Sequence, residues 1–402
     1  MADHNVDILI VGGGLIGALL MLALADMNLT VLLVEAKPLS SQTEADFDAR
    51  TLALSPASVR ILQMLNVWPL LSGNATAIET IHVSEQHCFG STRLQGHINN
   101  PLGYVVEMQH ISHALNPLIN DKNLMAPAKL SAYDATTRIA TVSSAEGECT
   151  IQARLVVAAD GADSAVRHFC GLDAQIKEYG QQALVANIGL ARPHHQCAYE
   201  RFTQKGSLAL LPMTHLRQAL IWALPASEAQ RLRVIPESDF LINLQRAFGY
   251  RLGRFVQVGQ RVIYPLRQVS LPKLTFGSVV FVGNAAHTLH PIAGQGFNLG
   301  LRDVAMLAQC ITQYGLGSDM LQHYQQSRHH DQTAITRSAD ALVELFRTDL
   351  PGAAFARSMG LMALDNIPLL KNVLSRYARG YAGIIPDLVC GIPLGGEYES
   401  VV

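Results

Sequence analysis

The residues of this chain whose spacing speaks most directly of chemistry have no reactive side chain. They are the glycines of Gly12-x-Gly14-x-x-Gly17, followed at the end of the next apolar run by Glu35. What glycines offer is backbone. Gly12 permits a tight turn, Gly14 lets main-chain amides approach a pyrophosphate, and Gly17 lets a helix come close to a strand. A helix that starts under such a turn presents unpaired N–H groups and the positive end of its dipole to an anion. Glu35 is then placed to accept hydrogen bonds from a ribose diol. Gly13 and Ile16 belong to the same loop. The pattern reads as a dinucleotide site and, by itself, does not separate NAD from FAD.

The flanking segments have the character such a site needs. "VDILIVG" and "LTVLLVE" are apolar, β-branched runs expected of strands covered on both faces, and "ALLMLALADMN" between them is helix-forming. The eighteen uncharged residues between Asp7 and Asp26 approach the length of a membrane span. Glycines 12, 13, 14 and 17 interrupt them, however, and the preceding "MADHNVD" is acidic, so neither a span nor a signal peptide is expected. No second GxGxxG unit occurs, which favours FAD as the one dinucleotide held by a dedicated fold.

A second glycine-rich stretch lies far downstream. The buried-strand run "GSVVFVG" ends in Gly283-Asn284, an irregular loop with His287, His290 and Pro291 follows, and Gly294-Gln295-Gly296-Phe297-Asn298 opens the helical run "FNLGLRDVAMLAQCI". The first-turn amides of that helix point into the loop and stabilise negative charge there. Between the two loops, "LVVAADGADSAVRHFCG" ends a strand at Asp160-Gly161 and enters a helix carrying Arg167, with Ser164 or Asp163 as its cap. A plain strand-to-helix turn is the alternative reading of Asp160. The spacing of His287 and His290 would suit one helical face, but Pro291 argues against a helix and no carboxylate cluster accompanies them. No metal site is expected, and packing is the main alternative to a loop role.

In this order and spacing the three segments resemble the single-component flavoprotein aromatic hydroxylases, the p-hydroxybenzoate hydroxylase-like FAD monooxygenase family. The resemblance implies that residues 12–17 hold the FAD pyrophosphate and that Asp160 lies near FAD and a passing NAD(P)H. It implies that Asn284, Pro291 and residues 294–298 hold the ribitol and flavin ring, with His290 and Pro291 as flavin-side loop residues. Arg50, in "FDARTLALSPASVRIL", and Gln109, in "VVEMQHISHAL", look like further FAD contacts. Within the family, "HPIAGQGFNLGLRD", "YERFTQKGSLALLPM" and "LMALDNIPLLKNVLSRYARG" resemble the ubiquinone-biosynthesis hydroxylases, most of all the 2-polyprenyl-6-methoxyphenol hydroxylase type. Gly283-Asn284 departs from the Gly-Asp of the wider family.

The implied chemistry is that of the flavin. NAD(P)H reduces FAD, dioxygen adds to give a C4a-hydroperoxide, and one oxygen atom is inserted into a polyprenylated phenol. No side-chain nucleophile or base is assigned. Two rivals are a flavin-dependent isoprenoid reductase or dehydrogenase and a flavin-bearing structural subunit of a biosynthetic complex. The expected partners are the prenylated phenol, dioxygen and other ubiquinone-biosynthesis proteins.

The implied architecture is α/β. A Rossmann-like FAD-binding domain (1–75, 101–172 and 265–339) is interleaved with an antiparallel-sheet substrate domain (76–100 and 173–264), and a helical region (340–402) follows. Tyr199, Phe202 and Trp222 are candidates for either pocket wall or aromatic core. The Leu- and Met-rich tail reads as helices packed on the FAD domain, or as a surface for membrane or partner proteins with Arg357, Lys371, Arg376 and Arg379 on its polar side. The pair His329-His330 in "HYQQSRHHDQTAITRSAD" reads as part of a solvated face.

Composition bounds these readings. With 402 residues, two domains are expected. A net charge of −2 and the absence of a Lys/Arg tract leave no field to attract nucleic acid. The mean hydropathy of +0.19 points to apolar partners. Six cysteines, at 88, 149, 170, 197, 310 and 390, form no CxxC pair and read as free thiols in a reducing cytoplasm. The protein is expected to be cytoplasmic, with at most peripheral contact at the inner face of the membrane.

Overall fold

The computed structural model describes residues 2–38, 47, 50–97, 99–290, 294–348 and 350–395. Its first sheet is built on parallel strands in the order Val279–Phe281, Gly147–Ala158, His4–Val11, Val31–Val34 and Leu124–Met125. The inner residues of these strands are buried without a break, as in Ile8–Val11 and Val31–Val34. Continuous burial requires cover on both faces, which is why the sequence shows apolar runs rather than alternation. The helices Leu15–Ala23 and Gln295–Tyr314 supply part of that cover and share one core with the sheet.

The second sheet has the strand order His287–Thr288, Val262–Ser270, Gln175–Leu190, Arg217–Pro225, Gly206–Pro212, Cys197–Thr203, Thr80–Glu85 and Ser91–Gln95. All neighbours along this path are antiparallel except Cys197–Thr203 beside Thr80–Glu85. Helices Ala226–Val234 and Glu237–Phe248 cover one face, where Leu208, Leu210, Leu220 and Trp222 meet Phe240 and Leu244. On the strand Gly206–Pro212 the alternate residues Ala209 and Leu211 face the other way, into a cavity. Both faces of that strand are therefore apolar, which explains the imperfect alternation of "GSLALLPM". A small third sheet joins Thr51–Leu54 and Thr76–Ile78 to Gly103–Glu107.

The tail corrects one expectation. Helix Ala353–Asn366 lies against the strand Ser91–Gln95 of the second sheet, not on the first. Asp365 accepts a hydrogen bond from the Arg93 amide at 2.9 Å, and a Cβ on Gly90 would come within 2.4 Å of the Ser358 backbone, so chain and helix touch directly. Past it the chain returns to the first core, where Leu388 and Val389 of the short helix Asp387–Cys390 are buried beside Tyr381 and Ile385. No helix among the described residues is long and apolar enough to cross a membrane.

Candidate functional site

Four of the singled-out segments sit at the carboxyl ends of adjacent parallel strands. Gly12 follows His4–Val11, Glu35 follows Val31–Val34, Asp160 follows Gly147–Ala158, and Asn284 follows Val279–Phe281. The crevice outside the carboxyl ends of such strands is where open α/β sheets take their ligands. The sheet thus brings together residues that lie 270 positions apart in the chain.

The glycine loop is set by contacts that leave no room for side chains. Gly12 has φ +104°, and a Cβ there would fall 2.5 Å from the Ala159 carbonyl oxygen. A Cβ on Gly13 would fall 2.7 Å from that of Glu35, whose Oε2 accepts the Gly13 amide at 2.6 Å. A Cβ on Gly17 would fall 1.9 Å from the Gly12 oxygen. Gly14 differs. It caps the helix Leu15–Ala23 with no side-chain hydrogen bond, is exposed, and has no protein atom within 4 Å of a built Cβ. Unpaired first-turn amides under an open glycine suit a pyrophosphate. Ile16 ties the two loops together: its side chain lies 3.2 Å from a Cβ built on Gly283 and 3.0 Å from one on Gly300.

At the next strand end Asp160 Oδ2 accepts the Val166 amide at 3.2 Å, while Oδ1 is enclosed without a partner. Burial raises the Asp160 carboxyl, against the pull of the Ser164 hydroxyl and the Val166 amide. Ser164 caps the following helix by accepting the Arg167 amide at 3.1 Å. Arg167 in turn donates to the carbonyls of Ala162 (2.7 Å) and Ala285 (3.2 Å), joining this turn to the Asn284 loop. Asn284 is exposed, and its side chain bonds no described residue.

Pro291 lies outside the described residues. Gly294, at φ +60°, starts the helix Gln295–Tyr314 without a side-chain cap, and a Cβ built on Gly296 meets nothing within 4 Å. Gln295, Gly296 and Phe297 are partly buried. The Asn298 side chain is fully used inside the protein. Its Oδ1 accepts from the Ser55 amide (2.9 Å) and the Ser58 hydroxyl (2.7 Å), and its Nδ2 donates to the carbonyls of Ala53 (2.9 Å) and Gly294 (2.8 Å). Asn298 thus holds the helix start in place, and only backbone there is left to meet a ligand.

The Arg50 side chain is exposed, while its carbonyl accepts the Met108 amide at 2.7 Å. Gln109 donates to Glu107 at 3.0 Å, and Glu107 pairs with Arg217 of the second sheet at 2.6 Å. His290 is buried with both ring nitrogens unpartnered, edge-on to Tyr179 at 5.0 Å. Burial lowers its pKa to about 4, so it is neutral at pH 7.

The sequence reading missed three features. A carboxylate does accompany His287: its Nε2 lies 2.6 Å from Oδ2 of the fully buried Asp303. Asp303 also accepts from the Gly283 amide, Arg328 and Gln332, and Asp331 accepts from both Arg328 and Arg302. Burial alone would raise the Asp303 carboxyl, but His287 and Arg328 outweigh it and hold it below its usual range. His329 and His330 are exposed as expected, yet Arg328, Asp331 and Gln332 of the same polar run face this network. Secondly, Arg357 is not on a polar surface. It is buried against Glu85 at 2.6 Å and donates to the carbonyls of Leu345 and Thr348. No group of three potential metal ligands occurs among the described residues.

The third feature is a cavity of about 610 Å³. It begins at Ala53–Ser55 and the helix start Gly294, Gln295 and Asn298, runs under the second sheet, and is roofed by helices Ser318–Arg347, Ala353–Asn366 and Pro368–Ala378. Its wall is aliphatic for most of its length. Phe202 lines it and stacks on Phe346 with ring centroids 3.4 Å apart, whereas Trp222 belongs to the core on the sheet's other face. The Tyr199 ring packs on Phe248 at 5.2 Å.

Comparison with known proteins agrees with this geometry. Residues 5–339 match the family model described as FAD binding domain. The chain is 34% identical over 410 residues to the ubiquinone hydroxylase UbiL of Rhodospirillum rubrum, covering 98% of this chain and 94% of that one. It is 29% identical to the 3-demethoxyubiquinol 3-hydroxylase of Escherichia coli, covering 94% and 100%. Among solved structures, p-nitrophenol 4-monooxygenase PnpA of Pseudomonas putida superposes with a TM-score of 0.78 at 17% identity, over 94% of this chain and 99% of that one. With the two open helix starts at the carboxyl end of the sheet, these likenesses have a single reading: the chain belongs to the FAD binding domain family, as an FAD-dependent monooxygenase.

Proposed function

We propose that the protein hydroxylates the ring of a polyprenylated phenol in ubiquinone biosynthesis. The observation that carries this reading is the cavity. It joins the helix start at Gly294–Asn298 to a long apolar passage under the tail helices, and its volume lies within the roughly 300–1,000 Å³ of sites that enclose small ligands. A bare phenol would need only the inner end. An isoprenoid tail would occupy the part lined by Leu342, Leu345, Ala356, Leu361, Leu364 and Leu374.

FAD, when bound, supplies the reduction by NAD(P)H and the activation of dioxygen. The chain's own residues bind, orient and exclude water. The amides above Gly14 hold the pyrophosphate, Glu35 the ribose, and the amides of Gly294–Asn298 stabilise negative charge at the edge of the ring. Asn284, Arg50 and Gln109 complete the contacts, and Asp160 lies toward the entry of the transient NAD(P)H. The aliphatic walls keep out water, which would otherwise divert the activated oxygen to hydrogen peroxide. The division of labour is that given above: 1–75, 101–172 and 265–339 for FAD, 76–100 and 173–264 for substrate, and the tail as roof.

A prenylated substrate resides in lipid. Tail burial is worth about 0.8 kcal/mol per methylene relative to water, but little relative to a bilayer. The tail passage therefore selects and guides the substrate more than it adds affinity. We infer that the roof meets the membrane surface, since its helices expose Phe355, Leu369 and Val373, and the segment between two of them Leu350, none of which lines the cavity.

The test of the hydroxylase reading is turnover of 2-geranylphenol with NADH or NADPH under ¹⁸O-labelled dioxygen, read by mass spectrometry. One labelled oxygen in the product is expected. A product with a reduced isoprenoid double bond and no label would instead support a reductase.

A further inference from the structure

We propose that Glu200 binds the ring hydroxyl of the substrate and takes its proton during hydroxylation, a catalytic role that rests on the phenol hydroxylase reading above. Glu200 lies on the strand Cys197–Thr203, whose cavity face is otherwise Ala198 and Phe202. Its cross-strand neighbours are Val83 on one side and Ala209 on the other, and the next ones out are Thr92 and Ile221. All of these line the cavity. A lone carboxylate thus stands in a row whose one other polar side chain, Thr92, donates to Asp365 at 3.4 Å.

Its Oε1 is enclosed and has no hydrogen-bond partner. An ionisable group left this way is costly to the fold, and an uncharged residue of similar size would pack at lower cost. Stability gives no reason for it, whereas a phenol delivered along the cavity would pair the orphan oxygen once the carboxyl turns it toward the cavity. The other charged groups on the surrounding elements are engaged elsewhere or exposed. Glu85 and Arg357 pair with each other, Arg201 turns to the sheet's other face and donates to Ser84 and Ala247, and Glu344 and Arg347 are exposed. Arg93 is exposed on the outer strand, and Asp340 bonds Tyr179 and Lys177.

The oxidant is the dioxygen that bound, reduced FAD would activate. As the ring carbon takes one oxygen, the O–O bond of that oxidant would break and its second oxygen would leave with the electron pair. The phenol O–H bond breaks, the proton passes to the Glu200 carboxylate, and the electron pair stays with the ring oxygen. The newly oxygenated carbon then sheds its hydrogen as a proton to the departing oxygen, which ends as water, and Glu200 returns its proton to the ring oxygen as aromaticity is restored. Burial moves the Glu200 carboxyl up to about 7, against the pull of a hydrogen bond from the Ser207 hydroxyl, so both forms are populated near neutral pH.

The experiment measures binding of 2-geranylphenol and of its O-methyl ether to the FAD-loaded protein, by perturbation of the flavin absorbance. It compares the wild type with Glu200→Gln and Glu200→Leu, and follows hydroxylation of 2-geranylphenol against pH. The wild type should prefer the phenol by about tenfold, the value of a hydrogen bond to a charged acceptor. Its rate should rise with pH through about 7 as the carboxylate forms. Both variants should keep FAD and hydroxylate more slowly with no rise in that range; Glu200→Leu should lose the preference, while Glu200→Gln, whose amide oxygen still accepts the phenol hydrogen bond, should keep part of it. A Glu200→Gln protein with the pH profile intact, or a Glu200→Leu protein with the full preference, overturns the assignment. A wild type that binds phenol and ether equally overturns it while leaving the hydroxylase reading in place, and one that binds neither overturns both.

Discussion

Gly14 and Asn284 are positions where the protein's own packing gives no reason for the residue type. A Cβ on Gly14 meets no protein atom, and its backbone is extended (φ −64°, ψ −180°), which valine adopts readily. Gly14→Val should therefore fold as well as the flavin-free wild type and bind no FAD, because the branch blocks only the pyrophosphate. Thermal melts of both apo-proteins, with the flavin spectrum, check this; full flavin occupancy in the variant would sink the assignment of the first loop. Gly17 is the contrast, since its Cβ would strike the Gly12 oxygen whether or not FAD is present. For Asn284, an amide oxygen can accept the ribitol hydrogen bond as a carboxylate does. Asn284→Asp should keep FAD, with affinity changed by about 1 kcal/mol, whereas Asn284→Leu should weaken it by roughly 1–3 kcal/mol. Titration by flavin fluorescence decides it, and Leu binding as tightly as Asn would remove the side chain from the ribitol. Glu200 carries a stability signature besides its proposed role. Its folded pKa lies above the ordinary 4.5, so the folded state holds the extra proton between about 4.5 and 7. Its contribution to stability is full below that window and is lost as pH rises through it. The wild-type melting temperature should fall from pH 5 to pH 8 relative to Glu200→Gln.

At the scale of elements, two buried ionic groups decide where helices and loops lie. Asp303, on the helix Gln295–Tyr314, accepts the Gly283 amide and so ties the start of the second glycine loop to the helix at its end. Arg357 ties the roof helix Ala353–Asn366 to Glu85 on the second sheet. Breaking a buried pair by removing one partner costs about 3–5 kcal/mol, because the other charge stays behind. Arg357→Ala should therefore loosen the roof while sparing the FAD end. Limited proteolysis is expected to cut within residues 340–378, with flavin content unchanged and more hydrogen peroxide released per NAD(P)H. Loss of FAD in parallel would show that the roof and the flavin end are one unit.

At the scale of the whole molecule, the tail presents apolar surface outward and the cavity inward. Leu369 is 73% exposed and Leu350 69%, while Lys371 is paired with Asp365 and Arg379 donates to Asn100. A contact of this kind rests on apolar burial, not on attraction to anionic lipid. The protein should co-sediment with neutral phosphatidylcholine vesicles, with little change between low and high salt, and Leu369→Asp together with Val373→Asp should abolish binding. Release by salt alone would assign the contact to charge.

The parallel FAD-binding sheet was legible in the chain because its information is local. Strand, glycine turn, helix and acidic strand end follow one another within residues 6–35, and each residue type answers to a backbone requirement of its neighbours. The second loop and Asp160-Gly161 were legible for the same reason. The path of the tail was not. "LMALDNIPLLKNVL" is as apolar as a helix packed on the first sheet, and contacts with distant residues, Arg357 with Glu85 272 positions away and Asp365 with the Arg93 amide, put it on the second. The same limit hid Asp303, whose partners come from two separated segments, and made "HYQQSRHHDQ" look wholly solvated when alternate faces of one helix differ. Glu200 stood unremarked within "YERF" because a strand's alternation does not say what lies opposite a face. The strand–turn–helix unit and its dinucleotide site could be read from the chain because they follow short-range backbone rules, and the order of the three motifs, by resemblance, carried FAD and the flavin chemistry. Which side chains line the cavity, Glu200 among them, and which helices close it came only from the tertiary fold, because both depend on how distant segments divide a buried space between them.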